Sequence, residues 1–474
     1  MSDRTTVTRV GKKVASSGLL PESAFFLLET LVRCWPNVER LLGSSLVVPP
    51  GSTAEEAIAA STPPADLSDL AFFLFHLCLC SPEYQRADPR PPRQVPFQLA
   101  DRRDSVRARR LDPLLCVRPW DSDIFAVNAA DIAVDWINGA ALRDLEGRFA
   151  DLRSGSLHGL FRDLGQILAA LAELVETTTS PTLPIDEVHT TTTPADAQRA
   201  SLRRLPYALR RLCARLHCGL PDEVTWLADI GLRRNNGTRR RLVTNQAAMA
   251  IYQAGLTSPD AVLDPGRFSE LIQAVRPSQP NANEFAKELQ SAVRQYRTDG
   301  RLRVRDRHAT TLPEHCRELV RDIYAAADTG FENCLAAALN CLRIKIEQRD
   351  GPGRTAFPDF VLSITSTNDI VVECKSKKGD EGEVTFNDAT DVIRKAGVNG
   401  YGSSHKVTVC QPYLCPDVAR KLTQCPDLSV VNFEDLAEAL VRLYRGKIAL
   451  SDLLEWLTTP GQPRRETLPF RSAS

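Results

Sequence analysis

Apolar side chains recur every three or four residues from Glu22 to Leu42, the spacing of one buried helix face. The run DLSDLAFFLFHLCLC predicts a second helix that is apolar almost all round. The loop GSSLVVPPGSTAEEAIAASTPPA separates the two. Helical spacing returns in ADIAVDWINGAALRDLEGRF and again in GSLHGLFRDLGQILAALAELV, where Leu160, Leu164, Ile167, Leu168, Leu171 and Leu174 form one stripe and Ser156 is the predicted cap. Two stretches break the pattern. RADPRPPRQVPFQLADRRDSVRARRLDP is rich in Pro and Arg without period, and TTTSPTLPIDEVHTTTTPADA is rich in Thr and Pro; both predict exposed connections, the second a mobile linker or surface loop.

The period changes in the last third. Phe331 to Leu342 reads as a helix with one early acid, Glu332, and Arg343 to Gln348 as a short strand. After the turn GPGR, a strand begins at Pro358-Asp359-Phe360, and a further strand runs from Ile370 to Lys375. Thereafter EVTFNDATDVIRKAG predicts a helix, HKVTVCQ a strand, PDVARKLTQ a helix, LSVVNF a strand and EDLAEALVRLY a helix. The fold class that follows is multidomain, mostly α in the N-terminal half and α/β around a central mixed sheet in the C-terminal part.

A chain of 474 residues exceeds one ordinary core. Lys+Arg and Asp+Glu are both 59, so only local patches argue for a charged partner. The strongest lies between 201 and 265, where Arg203, Arg204, Arg210, Arg211 and Arg215 precede the turn GLRRNNGT and Arg233, Arg234, Arg239, Arg240 and Arg241 flank it. A glycine-bearing turn beside a helix start offers backbone N–H groups to a phosphate while arginine adds charge. The N-terminus MSDRTTVTRVGKK lacks the apolar core of a signal peptide and no run matches a membrane span, which predicts a soluble, cytoplasmic protein without membrane partners. Thirteen cysteines include no Cys-x-x-Cys pair; Cys78, Cys80, Cys213, Cys334 and Cys341 fall in apolar patterns and read as reduced core thiols, and Cys410, Cys415 and Cys425 lack a fourth ligand.

In a strand alternate side chains share a face, so Glu373 and Lys375 point one way and Val372 and Cys374 the other. If Asp359 converges on that face, two carboxylates can hold Mg²⁺ or Mn²⁺ while Lys375 lies beside an attacking water, the arrangement that phosphodiester hydrolysis needs. The order of helix with acid, strand, Pro-Asp strand, Glu-x-Lys strand, helix and strand resembles the PD-(D/E)XK nuclease superfamily, in particular its restriction-type and Mrr-like members. That resemblance implies Asp359 and Glu373 as metal ligands joined by the backbone carbonyl of Cys374, Lys375 as the residue that positions water, and Glu332 as a supporting acid. Lys395, on the helix after the Glu-x-Lys strand, is a candidate DNA contact.

TVTRVGKKVASSGLLPESAFFLLETL, HLCLCSPEYQ, AVDWINGAALRDLEGRF and GSLHGLFRDLGQILAALAELV resemble, in order, the end of the winged helix and the ratchet helices of superfamily-two DNA helicases of the archaeal fork-remodelling type. EVTWLADIGLRRNNGTRRRLVTNQAAMAIYQAGLTSPDAVL resembles their terminal helix-hairpin-helix module, although GLRRNNGT is longer than the usual hairpin. No P-loop or acidic Walker B motif occurs, so no ATP hydrolysis is expected of this chain alone.

The expected organisation is a ratchet-like bundle over 1–175, a linker over 176–200, a basic helix-hairpin-helix-like module over 201–275, a connector over 276–320, the nuclease domain over 321–460 and a tail over 461–474. The resemblances imply a Mg²⁺-dependent deoxyribonuclease that works on DNA with a separate helicase or ATPase in prokaryotic defence against foreign DNA. The alternative is a non-catalytic adaptor, binding DNA or a helicase, whose nuclease fold is inactive.

Overall fold

The computed structural model describes residues 8–42, 68–86, 123–148, 153–180, 183, 192–195, 198–199, 202–233, 239–348, 356–363, 369–379 and 381–468. The chain is mostly helical, with a small mixed sheet in its C-terminal half. It divides into two units, one of Met1–Gly231 and Arg239–Gln253, the other of Leu232–Thr238 and Ala254–Ser474.

In the first unit, α1 (Arg9–Ser17), α2 (Pro21–Leu42), α3 (Ser68–Leu79), α4 (Pro82–Arg86), α5 (Asp123–Ile137), α6 (Leu142–Arg148), α7 (Ser154–Thr178) and α8 (Leu205–Cys218) share one core. As its pattern predicts, α3 is buried from Leu70 to Leu79, and the whole predicted stripe of α7 faces inward. Trp136 fixes the junction of α5 and α8: its ring stacks on Phe161 with centroids 4.9 Å apart, and its Nε1 donates to the Leu216 carbonyl at 2.8 Å. A side chain at Gly219 would collide with that ring, and the left-handed φ of 66° that ends α8 suits glycine as well.

Three expectations need correction in this unit. Helix α7 starts at Ser154, ahead of Ser156, because the Glu146 carboxylate accepts from the Ser154 N–H and so supplies the cap from another helix. Within the Thr/Pro-rich stretch expected as a mobile linker or surface loop, α7 continues to Thr178, and Thr179, Leu183, Thr192 and Thr193 are buried. Ahead of the turn, four arginines of the basic run are spent on internal bonds. Arg203 donates to the Thr179 carbonyl at 3.0 Å, Arg210 pairs with Glu176 at 2.6 Å, Arg211 bonds Asp222 at 2.9 Å, and buried Arg215 reaches the Ile137 carbonyl at 3.2 Å. Guanidinium groups on long stems satisfy the carbonyls that end neighbouring helices. The unit closes with α9 (Asn245–Gln253); earlier in the chain β1 (Gly231–Arg233) and β2 (Arg239–Arg241) pair as a two-stranded ribbon.

The second unit begins with α10 (Pro259–Leu263), α11 (Phe268–Val275), α12 (Ala282–Thr311) and α13 (Glu314–Ala325), so the stretch expected as a connector holds a 30-residue helix. Then come α14 (Thr329–Cys341), β3 (Ile346–Gln348), β4 (Phe360–Ser363), β5 (Asp369–Ser376), β6 (Glu383–Val384), α15 (Phe386–Val398), β7 (His405–Gln411), β8 (Tyr413–Leu414), α16 (Val418–Lys421), β9 (Leu428–Asn432), α17 (Phe433–Tyr444) and α18 (Leu450–Leu457). The sheet order is β3-β4-β5-β7-β9; the first three strands run antiparallel, and β7 and β9 join β5 in parallel.

Alternation along the strands builds two cores. Phe360, Leu362, Ile370, Val372, Cys374, Val407 and Val409 pack with α14, α17 and α18, whereas Val371, Cys410, Leu428 and Val430 pack with α15. A buried polar knot ties α12 to α17: Glu438 accepts from Arg442 at 2.8 Å and Arg307 at 3.1 Å, and lies 2.8 Å from His308 Nε2. The cysteines with described side chains are free thiols; Cys78 and Cys80 are buried as expected, while Cys341 is exposed at the end of α14. Among the described residues no helix is long and apolar enough to cross a membrane.

Candidate active site

The site forms where β4 begins and β5 ends. Phe360 pairs with Val372 in the antiparallel register, so one more step puts Asp359 opposite Glu373. Opposed residues of an antiparallel pair share a face, and two carboxylates meet there, on the α15 side of the sheet. Both are deeply buried, Asp359 at 3% exposure and Glu373 at 1%.

Asp359 Oδ2 accepts from the Cys374 N–H at 2.6 Å, which fixes the carboxylate across the strand pair. Glu373 Oε1 accepts two ammonium groups, Lys395 Nζ at 2.6 Å and Lys375 Nζ at 2.8 Å. Its other oxygen, Oε2, is buried and has no hydrogen-bond partner among the described residues. Lys375 reaches Asp391 Oδ2 at 3.2 Å as well, and Asp391 in turn holds Arg394 at 2.9 Å.

The electrostatics separate these groups. Burial, together with the charges of Glu373 and Glu332, pushes Asp359 up to about 7, against the Cys374 N–H and the Lys395 charge that favour its ionised form. Burial works against the charged form of Lys375, but its bonds to Glu373 and Asp391 outweigh that and push it up to about 12. Asp391 lies below the usual carboxylate range: desolvation opposes this, and Arg394 and Lys375 overcome it. Glu332 stands half-buried in the first turn of α14, where its charge acts on Asp359.

The structure thus brings Asp359, Glu373 and Lys375 together. It places Lys395 differently from the expectation of a DNA contact: the side chain is inside, with Ala389, Val392 and Ala396 on the face of α15 that meets the sheet. Asp391, one turn earlier on the same helix, is a member of the site that sequence reasoning missed; the available signal is the pair Asp391 and Lys395, spaced four apart behind a Glu-x-Lys strand. Arg233, Arg239, Arg240 and Arg241 lie on β1 and β2, but their side chains, and all of Arg234, are outside the described residues.

Among the described residues no group of three His, Cys, Asp or Glu side chains gathers to hold a metal. The donor set is smaller: the two carboxylates of Asp359 and Glu373. That set suits Mg²⁺, which keeps several waters and takes one or two carboxylates. The orphaned Glu373 Oε2 fits the same reading, since a buried anionic oxygen is costly without a cation or donor. No protein-family model matches the chain, and a search of curated proteins finds no match either.

Proposed function

We propose that the C-terminal unit is a metal-dependent deoxyribonuclease of the PD-(D/E)XK kind. The observation that carries the reading is the facing pair Asp359 and Glu373, with Lys375 one alternation further along β5 and paired with Glu373. Asp359 and Glu373 would hold the cation, which supplies positive charge for the phosphate. Lys375, half-buried, is the group able to orient water for attack on phosphorus and to meet the charge that grows on the phosphate oxygens. In the balance of the reaction water adds to phosphorus, one P–O ester bond breaks, and the departing oxygen takes a proton. The sequence of the helical unit, with ratchet-like segments and no nucleotide-binding motif, supports a grip on DNA or a dock for a separate ATPase.

The test is incubation of the purified chain with supercoiled and linear DNA in Mg²⁺, Mn²⁺ or EDTA. Nicking or degradation that needs the divalent ion is expected. Cleavage that survives EDTA, or that is unchanged in Asp359→Ala and Glu373→Ala variants with intact circular dichroism, would overturn the reading.

A further inference from the structure

Two charged side chains of α15 form a crossed pair with two of β5. Asp391 and Lys395, four apart, share a helix face, and Glu373 and Lys375, two apart, share a strand face. Each cation meets the anion of the other element, Lys395 on Glu373 and Lys375 on Asp391, and Lys375 bridges back to Glu373. The two lysines differ in freedom. Lys395 is confined, with a side chain 9% exposed, whereas that of Lys375 is 24% exposed.

On the metal-site reading above, we infer that Lys395 is a positioning residue that locks the Glu373 carboxylate through Oε1 and leaves Oε2 for a divalent cation, and that Asp391 anchors Lys375. The division of labour follows from the contacts. A carboxylate needs one fixed oxygen to present the other in a constant direction, and the confined Lys395 supplies that fixed bond. Lys375 is then released for water or phosphate without loss of the Glu373 orientation, and Asp391 keeps its ammonium from leaving the site. The arrangement also explains why a lysine is buried beside a metal ligand at all: an apolar residue in its place would leave Glu373 with a single cation, which is the one required elsewhere.

The experiment is calorimetric titration of the full chain with Mn²⁺, without DNA, for wild type and for Lys395→Met, Lys375→Met and Asp391→Asn, followed by DNA cleavage at graded Mn²⁺. Lys395→Met is expected to weaken Mn²⁺ binding about tenfold or more and to recover much of its cleavage when Mn²⁺ is saturating. Lys375→Met should bind Mn²⁺ within a few-fold of wild type and stay inactive at any concentration, and Asp391→Asn should lower the cleavage rate without weakening the ion. Lys395→Gln, which keeps a polar head of shorter reach, serves as the second variant if Lys395→Met does not fold. Unchanged Mn²⁺ affinity on loss of Lys395 overturns the positioning role, and tighter binding shows that Lys395 competes with the ion instead. A wild type that takes up no Mn²⁺ removes the metal site itself, and this assignment with it.

Discussion

Replacing Asp359 by Asn should stabilise the metal-free protein at alkaline pH while abolishing its response to Mg²⁺. Burial and the facing Glu373 push Asp359 from 3.8 up to about 7. Its folded-state value is therefore the higher one, so the stability it contributes is fully present below the unfolded value and is lost as pH rises through the folded one. Across that window the loss is roughly 4 kcal/mol, at about 1.4 kcal/mol per unit. Asn keeps an oxygen to accept from the Cys374 N–H but brings an NH₂ whose burial costs on the order of 1–3 kcal/mol. The net gain at pH 8 is then about 1–3 kcal/mol, and it should shrink towards pH 5. The assay is denaturant unfolding at pH 5 and 8, with and without Mg²⁺. Wild type should lose stability between the two pH values and regain it with the ion by mass action; the variant should do neither. A variant less stable than wild type at pH 8, or one that Mg²⁺ stabilises as strongly, would refute the argument.

Loss of Lys375 or Glu373 should lower DNA cleavage by about two orders of magnitude or more, the scale expected when a group that stabilises the transition state is removed; a plasmid nicking assay measures it. Glu438→Gln should destabilise the second unit by about 3–5 kcal/mol, read as a lower denaturation midpoint, because it breaks a buried charge knot and leaves arginines facing a neutral group. Replacing Arg239, Arg240 and Arg241 together by Ala should weaken DNA binding across unrelated sequences and flatten its dependence on salt, as fluorescence anisotropy will report. A pull-down with the full chain should retrieve an ATPase, and ATP hydrolysis by the purified chain alone would contradict the proposed dock for a separate ATPase.

The sheet and the acid pair were legible because their rules are local. Alternation fixes that Glu373 and Lys375 share a face, and the short gap after Pro358-Asp359 suits an antiparallel partner. The helices bordering the sheet follow from periodicity in the same way. Asp391 and Lys395 were not legible, because a lysine on an amphipathic helix looks alike whether its head meets water or a buried carboxylate 22 residues earlier in the chain. The start of α7 failed for a related reason: its cap comes from Glu146, outside the window that capping rules read. Thr192 and Thr193 show the limit of composition, since a polar stretch takes on burial when the rest of the unit closes over it.

The position of β5 in the sheet sets how the site breathes. β7 holds it along its length on one edge and β4 pairs with Asp369–Val372 on the other, so the amides it donates to β7 should exchange with deuterium only in the rarest openings of the unit. Asp359 stands just ahead of β4, a four-residue strand backed, among the described residues, by the three residues of β3. The two carboxylates thus belong to parts of the sheet with different opening free energies. Exchange into and out of the site should follow excursions on the Asp359 side, with Glu373 as the stationary wall, and a bound ion should slow deuterium uptake in β4 far more than in β5.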